Sequence, residues 1–114
     1  MKRLILIAGL VATAPAQAAP AKPAPQLVAD GLRLYTYHCA PCHGEGPGHP
    51  GTAALQRKYD GQMPALLADR RDLDGDMLRY FIRNGVNAMP YFRKTEISDA
   101  QIAAIAAYLA RPRK

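Results

Sequence analysis

The spacing of apolar positions along the chain predicts helices and no strands. Apolar residues recur at intervals of three and four in several segments, which is the periodicity of a helix with one buried face. The first such segment covers residues 27–37, where Val28, Leu32 and Tyr35 form a stripe that also contains Gly31. No segment alternates apolar and polar residues as a half-buried strand does. The predicted fold class is therefore all-α.

A second helix is predicted over residues 75–84 because its ends and its buried face agree. Asp74 is a residue type that caps helix N-termini, and Gly85 is the usual residue just beyond a helix C-terminus. The apolar residues between them fall on one face, which we expect to be buried: Met77, Leu78, Phe81 and Ile82.

The last predicted helix has the clearest start signal. Ser98 and Gln101 have the spacing of a capping box, and Ile97 and Ile102 are placed as a hydrophobic staple across it. Pro112 cannot continue a helix and ends the segment.

The stretch between the first two helices has weaker signals. Residues 44–51 hold four glycines and two prolines, which predicts a loop. A short helix that carries Leu66 and Leu67 is predicted after Pro64.

The N-terminus has the organisation of a secretory signal peptide. Lys2 and Arg3 precede an apolar run over residues 4–12, which is shorter than the roughly 20 residues that a bilayer span requires. Residues 16–18 fit the small-x-small cleavage pattern, so we expect cleavage after Ala18, with residues 14–16 as the weaker alternative. The prediction is a signal peptide over residues 1–18, a flexible Pro- and Ala-rich arm over 19–26, and a folded domain over 27–114 that is exported to the periplasm.

Size and charge limit the functions that this domain can have. A mature chain of about 96 residues forms one small domain, which usually needs a cofactor or a covalent staple to be stable. Loss of Lys2 and Arg3 lowers the formal net charge from +6 to about +4. A surplus this small gives no indication of nucleic-acid binding, and we expect no membrane span in the mature protein.

The motif that indicates a function is Cys39-Ala40-Pro41-Cys42-His43. In a C-x-x-C-H motif, two thiols reach the two vinyl groups of one haem, and the histidine after the second thiol ligates the iron. These are the chain's two cysteines. The prediction is one covalently attached haem c bound by Cys39 and Cys42, with His43 as an axial iron ligand.

Two other interpretations of these cysteines remain open at this point. A thioredoxin-type redox pair would follow a strand in an α/β pattern, which this chain lacks. A closed zinc site would need four ligands, for which Cys39, Cys42, His43 and His49 are the candidates. Export favours oxidation of free thiols, which counts against zinc.

The second axial position has several candidate ligands: Met63, Met77, Met89, His38 and His49. Met63 and Met89 both precede proline and therefore lie in extended backbone that can present a side chain. Met89 is favoured because it lies 46 residues after His43, enough for the chain to return on the far face of a haem. It also follows a helix end at Gly85.

Together these segments resemble the class I cytochromes c. The resemblance rests on Gly31 and Tyr35 before the haem motif, the N-G-x-x-x-M-P-x-F segment over residues 84–92, and the final helix. It implies helices around one haem, with His43 and Met89 on the iron. It also implies that the terminal helices cross near Gly31, Tyr35 and Tyr108.

In that family a proline carbonyl accepts the N–H of the axial histidine. Here Ala54 stands before Leu55 at the matching position, so Pro47 or Pro50 would have to substitute.

The predicted function is one-electron transfer with an iron that cycles between Fe(III) and Fe(II), and no enzymatic activity of the domain alone. The alternative is a five-coordinate haem that binds gases or acts as a peroxidase, which requires that Met89 does not ligate.

Residues 89–97 also resemble the cytochrome subunits of p-cresol methylhydroxylase-type flavoproteins. A redox partner protein is therefore expected, with a flavin-dependent dehydrogenase as one candidate.

Overall fold

The computed structural model describes residues 23–112, so the predicted signal peptide and the first part of the arm lie outside the described residues. Within this range, pairing between extended segments is limited to one isolated bridge, between Val86 and Met89. The all-α prediction is confirmed. The described residues form a 3₁₀ turn over Leu67–Asp69 and five α-helices: α1 (Pro25–His38), α2 (Ala40–His43), α3 (Pro50–Tyr59), α4 (Gly75–Asn84) and α5 (Asp99–Leu109).

Helix α1 begins at Pro25, two residues before the predicted start, and the prediction of its buried face is wrong at one position. Proline suits the first helical position because the N–H that it lacks has no partner within the helix. The buried residues are Gly31, Leu34 and Tyr35, whereas Leu32 is 47% exposed. Residues 31 and 32 lie three and four positions after Val28, so spacing alone does not choose between them. Packing against α5 places residue 31 on the inward face.

The crossing of α1 and α5 is the main helix contact, as the family resemblance implies. Gly31 lies so close to α5 that a Cβ there would be 1.9 Å from the Ala104 carbonyl oxygen and 2.8 Å from Tyr108 Cβ. The rings of Tyr35 and Tyr108 pack with centroids 5.3 Å apart. A glycine at position 31 therefore allows the two backbones to touch.

Helix α5 has the predicted start. Ser98 Oγ accepts a hydrogen bond from Gln101 N at 3.2 Å, and the Gln101 side chain accepts one from Ser98 N at 2.7 Å. Ile97 and Ile102, the two residues of the predicted staple, are fully buried. They belong to one core cluster with Leu34, Tyr35, Leu78, Ile82, Ala104, Ile105, Tyr108 and Leu109.

Helix α4 has the predicted bounds. Asp74 Oδ1 accepts a hydrogen bond from Met77 N at 2.7 Å, and the Gly85 N–H donates to Phe81 O at 2.8 Å. Of the four positions predicted to be buried, Leu78 and Ile82 are buried, Met77 is half-buried and Phe81 is 36% exposed. The prediction is therefore wrong for Phe81.

The predicted loop over residues 44–51 ends earlier than expected, because α3 begins at Pro50. Helix α3 is not among the predicted helices, and none of its residues is fully buried. The short helix expected after Pro64 is the 3₁₀ turn Leu67–Asp69. No helix in residues 23–112 has the length and apolar character that crossing a membrane requires.

Candidate functional site

The Cys39–His43 segment is one tight turn where α1 ends and α2 begins. The Cys39 N–H donates to Tyr35 O at 2.9 Å and closes α1. The Cys39 carbonyl then accepts from Cys42 N at 3.1 Å and from His43 N at 2.8 Å. Both cysteines are free, Cys39 half-buried and Cys42 exposed. The turn therefore presents two thiols and an imidazole within five residues.

The thiol of Cys39 is not activated for redox exchange. Burial, with a smaller contribution from Cys42, raises the pKa of Cys39 to about 11. A reactive C-x-x-C pair lowers this pKa instead, because the thiolate is the nucleophile. No strand precedes the motif in the described part of the chain, so neither feature of a thioredoxin-type site is present.

His43 is held by its backbone and buried at one ring nitrogen. The Tyr35 hydroxyl donates a 2.7 Å hydrogen bond to the His43 carbonyl, and burial raises the pKa of Tyr35, so this donor stays protonated. Burial lowers the pKa of His43, which favours the neutral imidazole that a metal requires. His43 Nδ1 is buried without a hydrogen-bond partner. Neither Pro47 nor Pro50 therefore supplies the carbonyl acceptor considered above.

The first turn of α3 packs directly on the His43 ring. A Cβ on Gly51 would be 2.7 Å from His43 Cε1 and 2.8 Å from the Cys42 carbonyl oxygen. Contacts this short are not found for real Cβ atoms. Gly51 is thus a site residue that sequence reasoning missed, because only the fold shows which of the loop glycines touches the histidine.

The loop before α3 is tied to the same turn. His49 Nδ1 lies 3.2 Å from the Pro41 carbonyl oxygen, and Thr52 Oγ1 donates to the Gly44 carbonyl at 2.8 Å.

Across residues 23–112, no three His, Cys, Asp or Glu side chains form a group that could hold a metal ion. The zinc interpretation of Cys39, Cys42, His43 and His49 is therefore not supported.

Met89 lies on a short turn that follows α4. The Val86 and Met89 backbones exchange two hydrogen bonds, at 3.2 and 2.9 Å. Gly85 has a φ of +66°, which favours glycine, and a Cβ there would be 2.5 Å from the Met89 carbonyl oxygen. The Met89 side chain is half-buried and packs against the core that Cys39 also contacts. The fold therefore gives Met89 a fixed backbone and a place on the same core as the cysteine turn.

The other candidate ligands are placed differently. Met63 is 38% exposed and is not among the residues packed against the core. Met77 is half-buried on α4. His38 ends α1, and its ring contacts Phe92 with centroids 6.1 Å apart. His49 lies against Pro41, as described above.

Arg83 is a second residue that sequence reasoning missed. Its Nη1 donates to the Phe92 carbonyl at 3.0 Å and its Nη2 to Asp99 Oδ1 at 2.7 Å. Its side chain is only 18% exposed, and Nε is buried without a partner. No local pattern signals a link among residues 83, 92 and 99. The Arg70 side chain is 9% exposed and bonds Tyr59 and Asp72.

Comparison with known proteins identifies the family. A sequence profile described as cytochrome c oxidase, cbb3-type, subunit III matches residues 26–109, which is most of the chain. The chain belongs to the class I cytochromes c. Cytochrome c6 of Synechococcus sp. (strain ATCC 27167 / PCC 6312) is 34% identical over 83 residues, 72% of this chain and 67% of that relative. No solved structure gives a significant match.

Membership of the cytochromes c establishes the cofactor and the kind of function. This cytochrome c carries covalently attached haem c and is an electron carrier. The described residues fit that group, because two thiols lie on one turn beside an imidazole that burial keeps neutral.

Proposed function

We propose that Cys39 and Cys42 attach the haem through thioethers, and that His43 and Met89 are its axial ligands. The single observation that carries this proposal is the Cys39–His43 turn, where hydrogen bonds to one carbonyl hold the second thiol and the histidine in place. When bound, the haem supplies the one-electron Fe(III)/Fe(II) couple.

The protein's own residues set the properties of that couple. The His43 backbone is fixed by Tyr35, and its ring is packed by α3. The Met89 thioether is a soft donor, which favours Fe(II) and raises the reduction potential relative to two histidines. With both positions filled by side chains, small molecules have poor access to the iron. The domain then carries electrons and does not act as a gas binder or a peroxidase.

Export and the redox partner are also proposals. The basic, apolar and small-residue segments of residues 1–18 support cleavage after Ala18 and a periplasmic location. The resemblance of residues 89–97 to cytochrome subunits of flavoproteins supports a flavin-dependent dehydrogenase as the electron donor.

Mass spectrometry of the purified protein tests the attachment and the cleavage together. We expect an N-terminus at Ala19 and one haem joined to the peptide that contains Cys39 and Cys42. A haem-loaded protein that retains Met1 would contradict export with cleavage. A haem that dissociates in acid and organic solvent would contradict thioether attachment.

Co-purification tests the proposed electron donor. A flavoprotein that co-purifies, with its flavin reoxidised by this cytochrome, would support the proposal, and its absence from all periplasmic fractions would oppose it.

A further inference from the structure

We propose that Arg83 is a positioning residue that holds the Met89 segment in place and so resists displacement of Met89 from the iron. The inference rests on the proposed role of Met89 as an axial ligand. It concerns the stability of that ligation, which the identity of the ligand does not by itself determine.

The first observation is how the backbone after Met89 is anchored. Three residues beyond Met89, the Phe92 N–H donates to the Ile82 carbonyl at 2.7 Å, and the Phe92 carbonyl accepts from Arg83 Nη1 at 3.0 Å. Both polar backbone groups of Phe92 are thus bound to consecutive residues of α4. Before Met89, the Val86–Met89 turn is closed by its own two backbone bonds. The segment that carries Met89 is therefore fixed at both ends.

The second observation is that Arg83 joins three parts of the fold. From α4, its guanidinium reaches the Met89 segment through Phe92 and the first turn of α5 through Asp99. Asp99 also binds Arg79 at 3.0 Å and Lys94 at 3.1 Å, which keeps the carboxylate in position to orient Arg83. Because the guanidinium is planar with a fixed fork of donors, one side chain can serve both acceptors.

The third observation is burial. The Arg83 side chain is 18% exposed, whereas that of Arg79, one helical turn earlier, is 46% exposed. Hydrogen bonds from a charged donor are stronger than those between neutral groups, and loss of the donor leaves a part-buried carbonyl unsatisfied. Movement of the Met89 segment away from the iron would break the bond to Phe92. The bond thereby favours the state in which Met89 is seated.

Arg79 supplies a matched control. It lies on the same helix, carries the same charge and binds the same carboxylate, but it has no hydrogen bond to the Met89 segment. The comparison of Arg83→Met with Arg79→Met therefore isolates the bond to Phe92. Asp99→Asn removes the shared carboxylate and leaves the Arg83–Phe92 donor and acceptor in place. Arg83→Lys keeps the charge but replaces the fork with one ammonium group. It is the alternative test variant if Arg83→Met does not load haem.

The experiment is an imidazole titration of the haem-loaded ferric proteins, followed by the absorption spectrum, with thermal unfolding of the same samples. Imidazole binds by displacing Met89. We expect Arg83→Met, and more weakly Arg83→Lys, to bind imidazole about tenfold more tightly than wild type, which corresponds to about 1.4 kcal/mol. Arg79→Met should stay within about twofold of wild type, and Asp99→Asn should fall between them.

Two results would overturn the inference, and they are distinguishable from failure of the proposed ligand. Equal imidazole affinity in wild type, Arg83→Met and Arg79→Met, with weaker binding to all three than to Met89→Ala, would show that Met89 ligates and Arg83 does not hold it. The second result is an imidazole affinity that rises in proportion to the loss of thermal stability in both Arg83→Met and Asp99→Asn. That result would give Arg83 only a general structural role. Equal affinity in wild type and Met89→Ala would instead refute Met89 as the ligand.

Discussion

Gly51 lies against the ring of His43, at a distance that leaves no room for a side chain. A Cβ on Gly51 would be 2.7 Å from His43 Cε1 and 2.9 Å from Nδ1. The first turn of α3 therefore packs its backbone on the imidazole that we assign to the iron. This contact fixes the ring on the side where Nδ1 is buried.

Gly51→Ala should therefore disturb the haem site and lower stability. The added methyl group must push α3 or the His43 ring aside, and overpacking of this kind typically costs about 1–3 kcal/mol. We expect a lower melting temperature of the haem-loaded protein and a changed ferric spectrum. Gly75→Ala is the control, because the nearest atom to a Cβ there is 4.0 Å away. Equal spectra and melting temperatures for Gly51→Ala, Gly75→Ala and wild type would refute the contact.

Gly31→Val should destabilise the protein although it adds apolar surface. Even a Cβ would be 1.9 Å from the Ala104 carbonyl oxygen, so the two terminal helices must separate. We expect the free energy of unfolding, measured by denaturant titration, to fall by about 1–3 kcal/mol. Ala29→Val, on an exposed position of the same helix, controls for the helix propensity of valine. A Gly31 variant as stable as the Ala29 variant would mean that the helices do not cross here.

Asp99 makes part of the stability depend on pH. Hydrogen bonds from Arg83 and Lys94 lower the pKa of Asp99 from its ordinary value of 3.8 to about 2. A depressed pKa in the folded state stabilises the protein above the ordinary value, and this stabilisation is lost as the pH falls from about 4 to about 2.

Asp99→Asn should therefore be less stable than wild type at pH 7, with a difference that shrinks as the pH falls through this window. Thermal unfolding between pH 2 and pH 7 measures it. Asp76→Asn makes the same charge change in the first turn of α4 and serves as the comparison. A wild-type advantage over Asp99→Asn that is the same at pH 7 and at pH 2 would contradict the ion-pair account.

The features predicted correctly from the sequence are those whose signals are local. The Asp74 cap of α4 and the capping box at Ser98 each lie within a few residues, and the structure has both where the sequence places them. Helix α3 has no fully buried residue, so it has no strong apolar periodicity to detect.

Features that depend on tertiary contacts could not be predicted in this way. The contact of Gly51 with His43 and the bonds of Arg83 join residues from separate elements, and several glycines and arginines of the chain are equivalent by local pattern. The choice between Leu32 and Leu34 as the buried residue of α1 is likewise made by α5. Physical reasoning from one sequence finds the C-x-x-C-H motif but does not identify the residues that pack against it.

The central claim is that Met89, and not Met63, is the sixth ligand of an electron-carrying haem. Met89 packs against the core on a turn closed by two hydrogen bonds, whereas Met63 is 38% exposed. The far-red charge-transfer band between methionine and Fe(III), a property of this family, tests the claim in wild type, Met89→Ala and Met63→Ala. We predict that wild type and Met63→Ala show the band and that Met89→Ala lacks it. Loss of the band in Met63→Ala with its retention in Met89→Ala would reverse the assignment, and its absence from all three proteins would show that no methionine is bound to the iron.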